Sequence, residues 1–215
     1  MKFYDTFIFD LDGTLLDTIG DLTNAVNYAL KNYDYPQKTI PQIKSYVGDG
    51  IPKLIERAIP QGLENKNYND VLKLFSDYYN SHLTDCTHIY DDIITVFEKL
   101  KEKNCKIAIV SNKSDKYVKI LSEYFFKNYV DIAIGESENI RKKPSSDMAN
   151  YALSKLSKTT DTSVYIGDSE VDILTAKNSS LPCISVSWGF RSKEFLEKNG
   201  ANIIIDSPLE LLKYI

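Results

Sequence analysis

The chain has 215 residues, of which 43% are hydrophobic and 26% are charged, and this composition excludes a mainly disordered protein. Its 26 Lys and Arg residues against 30 Asp and Glu residues give a formal net charge of -4, so no general attraction to nucleic acid is expected. Cys86, Cys105 and Cys183 form no C-x-x-C pair, and no apolar run reaches the ~20 residues that a membrane helix needs. We therefore expect a cytoplasmic protein that binds neither nucleic acid nor a membrane.

Short apolar segments rich in β-branched and aromatic residues recur along the chain, and they are typical of buried strands. The six predicted strands are Tyr4–Phe9, Lys106–Val110, Val130–Ile134, Ser163–Ile166, Pro182–Val186 and Asn202–Ile205. Helical patterns lie between most of them, as in βαβ units. The sequence therefore predicts an α/β fold with a doubly wound, mainly parallel, Rossmann-like sheet.

One long interval after the first strand contains about four helical patterns and no convincing strand. In the first of these patterns Leu22, Ala25, Val26 and Ala29 fall on one face, which indicates that the interval buries a small core of its own. We predict an inserted all-helical cap over residues 16–84 and a catalytic core formed by residues 1–15 and 85–215.

Polar residues follow the predicted strands where ligands bind in such sheets. The first strand is followed by Asp10 and Asp12, and the strand at residues 163–166 is followed by Asp168 and Asp172. Carboxylates gathered in one crevice need a cation, and an all-oxygen set suits Mg²⁺. Asp10 would be both a metal ligand and a nucleophile that attacks phosphorus, and Asp12 would be the general acid and base.

A transferring phosphoryl group also needs fixed hydrogen-bond donors and positive charge. Ser111 follows the second predicted strand, and Lys143 stands before Pro144, which favours an extended backbone at the lysine. We predict that both residues bind the phosphoryl oxygens. A helix cap for Ser111 and a solvated charge for Lys143 are the alternatives.

D-x-D-G-T at residues 10–14, Ser111, K-P at residue 143 and G-D-S-x-x-D at residues 167–172 occur in the order of the haloacid dehalogenase-like superfamily, which the chain resembles. The helical insertion, V-G-D-G at residues 47–50 and S-W-G-F at residues 187–190 are similar to the phosphoglycolate phosphatase family. The resemblance implies that Asp168 is the third protein ligand of the metal and that Asp12 contributes its backbone carbonyl. It also implies that Asp172 supports the metal or holds Lys143, and that Asn112 binds phosphate with Ser111.

In the predicted cap, Gly48 lies in a segment that either forms a turn or closes over the substrate. Arg57 on the next helix would face a substrate carboxylate, although a solvated charged face is the more frequent arrangement. We name both as substrate-contacting candidates.

These motifs predict a Mg²⁺-dependent phosphomonoester hydrolase, a monomer or homodimer, that acts through an aspartyl-phosphate on small phosphorylated metabolites. The leading substrate is 2-phosphoglycolate. A phosphosugar mutase of the same superfamily is the first alternative, but such enzymes usually have a histidine where this chain has Leu22. A non-catalytic regulator that binds a phosphometabolite is the second.

Overall fold

The computed structural model describes residues 2–215 and separates into two compact units. One unit comprises Met1–Leu16 and Ile89–Ile215, and the other comprises Asp17–His88. The sequence analysis placed the corresponding boundaries after residues 15 and 84. No helix within residues 2–215 has both the length and the hydrophobicity needed to cross a bilayer.

A six-stranded sheet forms the centre of the first unit, with the strand order β5-β4-β1-β6-β7-β8, and every pairing in it is parallel. The predicted α/β fold with a mainly parallel, Rossmann-like sheet is confirmed. The strands are β1 (Thr6–Phe9), β4 (Lys106–Ser114), β5 (Ile132–Glu136), β6 (Ser163–Gly167), β7 (Cys183–Val186) and β8 (Ile204–Ile205). Two further short strands, β2 (Leu16–Asp17) and β3 (His88–Ile89), pair where the chain passes between the units.

Strand β4 is longer than predicted, because it continues past Val110 to Ser114. Its register against β5 shifts between these two residues. Such an irregularity redirects side chains locally while the strand goes on pairing. The three polar residues from Ser111 to Lys113 therefore belong to the strand and are buried.

Alternate residues of β1 pack on opposite faces of the sheet, as the two-residue period of a strand requires. On one face the ring of Phe9 lies 5.3 Å from the ring of Phe97. On the other face Ile8 joins a buried cluster that includes Met148 and Ala176. Helices thus cover both faces. Full burial of a phenylalanine or isoleucine side chain stabilises the folded state by about 1.5–3 kcal/mol.

The helices of the first unit alternate with its strands. They are α5 (Ile93–Glu102), α6 (Asp115–Phe126), α7 (Asp147–Leu156), α8 (Glu170–Asn178) and α9 (Lys193–Lys198), with 3-10 turns at Thr160–Thr162 and Pro208–Tyr214. This order places a helix after each of the strands β4, β5, β6 and β7. The carboxyl ends of the parallel strands consequently meet at one edge of the sheet.

An ionic clamp at the opposite edge joins the beginnings of β4 and β5. Asp131 accepts hydrogen bonds from Lys101 at 2.7 Å, from Lys106 at 3.0 Å and from the backbone N–H of Ile107 at 2.9 Å. Burial raises the pKa of the Asp131 carboxyl, but these donors outweigh burial and hold the pKa below its ordinary value.

The second unit is built from four helices in the residues that the structure describes. They are α1 (Ile19–Lys31), α2 (Ile40–Tyr46), α3 (Ile51–Ala58) and α4 (Tyr68–Ser81), with a 3-10 turn at Gly62–Glu64. Leu22, Ala25 and Val26 of α1 and Val71 and Phe75 of α4 are buried. The spacing of apolar residues in the sequence thus corresponds to a helical core within this unit.

Candidate active site

The carboxyl ends of β1, β4 and β6 bring three predicted site residues together. Phe9 is in register with Ile109 of β4 and with Ile166 of β6, so Asp10, Ser111 and Asp168 follow at the same edge. The backbone N–H of Asp10 donates to the carbonyl of Ile166 at 2.9 Å. All three side chains are buried.

Asp10, Asp168 and Asp172 form a cluster of acids in which one oxygen of each carboxylate lies within 4.8 Å of the others. Asp12 does not join this cluster through its side chain. Both its carboxylate oxygens accept hydrogen bonds from the ammonium of Lys113, at 2.9 and 3.3 Å. The carboxylates that meet are therefore those of residues 10, 168 and 172. The sequence analysis gave Asp12 as a ligand through its backbone carbonyl, and this stays a prediction.

A single ammonium, that of Lys143, contacts the cluster through two of its members. It donates to Asp10 at 2.6 Å and to Asp172 at 2.8 Å, and all three side chains are at most one-tenth exposed. Burial lowers the pKa of Lys143, but these carboxylates outweigh burial and hold the pKa well above its ordinary value. Lys143 is therefore charged across the physiological pH range.

The cluster carries more negative charge than one lysine neutralises. Burial raises the pKa of Asp10 to about 7; Lys143 opposes the rise, and Asp172 and Asp12 add to it. Burial also raises the pKa of Asp168 well above its ordinary value, with Asp172 and Asp10 contributing further. Burial and the neighbouring carboxylates together thus favour the protonated forms of Asp10 and Asp168.

The start of helix α8 fixes Asp172 in place. Ser169 and Asp172 form a capping box, in which one Asp172 oxygen accepts from the Ser169 hydroxyl at 2.6 Å and from its N–H at 3.1 Å. The other oxygen accepts from Lys143 and, at 3.3 Å, from the hydroxyl of Tyr165. Helix capping and contact with Lys143 thus use the two oxygens of the same carboxylate.

Asn112 holds the backbone of Lys143. Its side-chain carbonyl accepts from the N–H of Lys143 at 2.8 Å, and its amide donates to the Lys143 carbonyl at 3.0 Å. That Asn112 binds phosphate together with Ser111 stays a prediction. Both ends of its side-chain amide group make bonds to the segment that carries the lysine.

Lys113 lies in the site but was not among the predicted site residues. Its side chain is 3% exposed, and its backbone N–H donates to the Ser111 hydroxyl at 3.2 Å. A signal was present in the sequence, because residues two apart on a strand point to the same side. The prediction ended the strand at Val110 and so did not apply this rule to Ser111 and Lys113.

Three glycines bring backbone into contact with the acid cluster. A Cβ atom at Gly13 would lie 2.3 Å from the Oδ2 atom of Asp168, one at Gly189 would lie 2.3 Å from the Asp168 Cβ, and one at Gly167 would lie 2.3 Å from the Cγ of Asp172. Gly13 also has a φ of +88°, which glycine adopts without strain. Side chains at these positions would displace the acids.

The loop after β7 also holds Asp168. The backbone N–H of Phe190 donates to the Asp168 Oδ2 atom at 2.6 Å, and the indole N–H of Trp188 donates to the carbonyl of Thr14 at 3.1 Å. Trp188 thus ties the loop after β7 to the segment that follows Asp12.

The two substrate-contacting candidates of the helical unit lie beside each other. Arg57 donates to the backbone carbonyl of Tyr46 at 2.6 Å and forms an ion pair with Asp49. Gly48, between these partners, has a φ of +129°. Within its unit, Arg57 therefore connects α3 to the segment that contains Gly48.

A doubly wound parallel sheet that gathers buried acids and a charged lysine at its carboxyl edge defines an α/β enzyme with a charged active site. The family model described as haloacid dehalogenase-like hydrolase matches residues 7–186, and the chain belongs to this family. The resemblance that the motifs indicated is confirmed, and the chain is a hydrolase.

Relatives similar over nearly their whole length include phosphoglycolate phosphatases. The one from Colwellia psychrerythraea is 32% identical over 215 residues, covering 97% of this chain and 95% of that protein. The one from Vibrio parahaemolyticus is 30% identical over 214 residues, covering 96% and 94%. These matches confirm the predicted enzyme class, a phosphatase that is similar to phosphoglycolate phosphatases.

Solved structures agree in fold. A candidate phosphoglycolate phosphatase from Lactobacillus delbrueckii subsp. bulgaricus has a TM-score of 0.93 at 38% identity, with 98% of this chain and 97% of that one covered. A predicted phosphatase from Clostridium acetobutylicum has a TM-score of 0.85 at 28% identity, with 99% and 98% covered. The similarity therefore spans both units of the chain.

Proposed function

We propose that the chain is a Mg²⁺-dependent phosphomonoester hydrolase that acts through an aspartyl-phosphate at Asp10. The observation that carries the proposal is the meeting of Asp10, Asp168 and Asp172 within 4.8 Å beside the ammonium of Lys143. This arrangement supplies a nucleophile and positive charge at one place, which phosphoryl transfer requires. Membership of the hydrolase family is consistent with it.

The residues present fit a magnesium ion. The cluster offers only carboxylate oxygens, which this ion prefers, and one oxygen from each of the three acids lies within 4.8 Å of the others. Asp10 and Asp168 would hold the ion, with the backbone carbonyl of Asp12 as a third ligand and Asp172 in support. When bound, Mg²⁺ supplies positive charge that neutralises these carboxylates and the phosphoryl oxygens.

The chain's own residues then account for both halves of the reaction. A carboxylate oxygen of Asp10 attacks phosphorus, the bond from phosphorus to the ester oxygen breaks, and Asp12 gives a proton to the departing alcohol. Asp12 next removes a proton from water, whose oxygen attacks phosphorus. The bond from phosphorus to the Asp10 oxygen breaks, which releases inorganic phosphate and frees the Asp10 carboxylate. Ser111 and Lys143 bind the phosphoryl oxygens and stabilise their charge.

The proposed substrate is a small phosphorylated metabolite, with 2-phosphoglycolate first. The names of the relatives from Colwellia and Vibrio support this choice. A cytoplasmic location and a monomer or homodimer, without nucleic acid or membrane partners, complete the proposal.

The test is release of inorganic phosphate from a panel of phosphomonoesters, with Mg²⁺ and with EDTA. The panel contains 2-phosphoglycolate, sugar phosphates and nucleotides, and we expect turnover only with the metal and fastest on 2-phosphoglycolate. Isomerisation of a sugar phosphate without phosphate release would instead identify a mutase. Binding of phosphometabolites without any turnover would identify a regulator.

Two variants test the assigned roles. Asp10→Asn should abolish turnover and the trapping of labelled phosphate on the protein, and Asp12→Asn should lower kcat by at least roughly 10²-fold. The matched control is Asp161→Asn, the same change at an exposed position, which should act like the unaltered protein. An active Asp10→Asn variant would remove Asp10 from the nucleophile role.

A further inference from the structure

A second buried lysine faces the proposed acid and base. The Lys113 side chain is 3% exposed and that of Asp12 is 12% exposed, and the ammonium contacts both oxygens of the carboxylate. The proposed mechanism uses Lys143 for the phosphoryl group and gives no role to Lys113. A buried ammonium beside the acid that serves the leaving group therefore remains to be explained.

The two lysines occupy different parts of the site. Lys143 contacts Asp10 and Asp172, so its charge lies where phosphorus is attacked. Lys113 contacts Asp12, so its charge lies where the alcohol departs. The site thus offers one ammonium for the group that is transferred and another for the group that leaves.

The reach of Lys113 follows from two distances. A general acid lies about 2.6–3.2 Å from the oxygen that it protonates, and the Lys113 Nζ atom lies 2.9 Å from the Asp12 Oδ1 atom. The ammonium is consequently at most about 6 Å from the ester oxygen. Ordinary bond lengths place the carboxylate oxygens of a phosphorylated α-hydroxy acid about 3–4 Å from that same oxygen, so these two distances permit a contact with Lys113 when the carboxylate is turned towards it.

We infer that Lys113 binds a carboxylate on the leaving alcohol and selects phosphate esters of α-hydroxy acids over esters of neutral alcohols. This inference rests on the proposed function, which places the leaving group at Asp12. A lysine ammonium is a compact charge on a flexible stem. The inference requires that the ammonium exchange one of its two Asp12 oxygens for a substrate carboxylate.

The test compares two substrates of similar size, 2-phosphoglycolate and 2-hydroxyethyl phosphate, which lacks the carboxylate. The unaltered enzyme should show a higher kcat/KM for 2-phosphoglycolate. Lys113→Met should lower this preference by roughly 10- to 100-fold, the size of one hydrogen bond between charged groups. Lys127→Met, the same change at an exposed side chain of the first unit, should leave the preference unchanged.

A second variant keeps the inference testable if Lys113→Met fails to fold. Lys113→Gln retains a hydrogen-bond donor for Asp12 but has no charge, so it should fold and show the same reduced preference. Equal losses on both substrates in these variants would mean that Lys113 only holds Asp12, and the inference would be overturned. An unaltered enzyme without preference for 2-phosphoglycolate would overturn it as well.

Failure of the proposed function gives a different result. An enzyme that releases phosphate from p-nitrophenyl phosphate but treats the two small esters alike is a phosphatase, and only the role of Lys113 is rejected. A protein that releases phosphate from no ester in the presence of Mg²⁺ rejects the proposed function itself, and the role of Lys113 with it.

Discussion

The contact between Lys143 and two buried acids predicts a large loss of stability in the variant Lys143→Met. Methionine fills a similar volume but leaves Asp10 and Asp172 without their ammonium. Removal of one partner from a buried ion pair costs about 3–5 kcal/mol. In a chain of this size each kcal/mol corresponds to about 2–4 °C, so the Tm should fall by about 6–20 °C.

The loss should depend on pH with a definite sign. The pKa of Asp10 in the folded protein is about 7, above its ordinary 3.8, so protonation favours the folded state and this contribution to stability disappears as the pH rises through 7. A protonated Asp10 needs no ammonium, whereas an ionised one does. The free energy difference between the two proteins should therefore be smaller at low pH and larger at high pH.

Urea unfolding in EDTA at about pH 5.5, 7 and 8.5 measures this difference on both sides of the Asp10 pKa. The control is Lys142→Met, because the neighbouring lysine is 39% exposed and pairs with Glu136 at the surface, where ion pairs contribute little. Equal stability of Lys143→Met and the unaltered protein, or a loss that does not change with pH, would refute the reasoning.

Three further results are expected. Asn112→Ala should lower kcat/KM by more than tenfold and stability by about 1–3 kcal/mol, because the buried N–H and carbonyl of Lys143 lose their partner; unchanged kinetics would show that the lysine needs no such support. Mg²⁺ affinity measured by calorimetry should rise with pH through neutrality, since the ion competes with the proton that Asp10 binds with a pKa of about 7, and a constant affinity would contradict this. Asp131→Asn should unfold at lower urea concentration than the unaltered protein at pH ~7 but not at pH ~2.5, because a carboxyl with a lowered pKa stabilises the fold above its ordinary 3.8 and loses this effect as the pH falls; equal losses at both pH values would exclude an ionic role.

The arrangement of the sheet could be predicted from the sequence because its strands are continuous apolar segments. Phe7, Ile8 and Phe9 are all fully buried, as in a central parallel strand. The position of Asp10 and Asp168 at one edge of the sheet could also be predicted, because the carboxyl ends of parallel strands lie at the same edge. Strand boundaries were less predictable, since β4 continues into polar residues that resemble a loop.

Side-chain partners within the site could not be predicted in the same way. Asn112 and Lys113 lie in the part of β4 where the register against β5 shifts, and no sequence pattern indicates such a shift. The bonds from the Asn112 amide to the backbone of Lys143 were therefore not predicted, and Lys113 was left out because the predicted strand ended at Val110. Asp172 was assigned its role through the resemblance, and its capping box with Ser169 was found only in the structure.

The contacts of Gly13, Gly167 and Gly189 with Asp168 and Asp172 limit how this enzyme can be redesigned. Not even a methyl group fits at these positions without moving an acid, so a library randomised there should return almost only glycine among active clones. New substrate preferences must come from positions with spare volume. The three positions that tolerate substitution least in this site are thus occupied by residues that have no side chain.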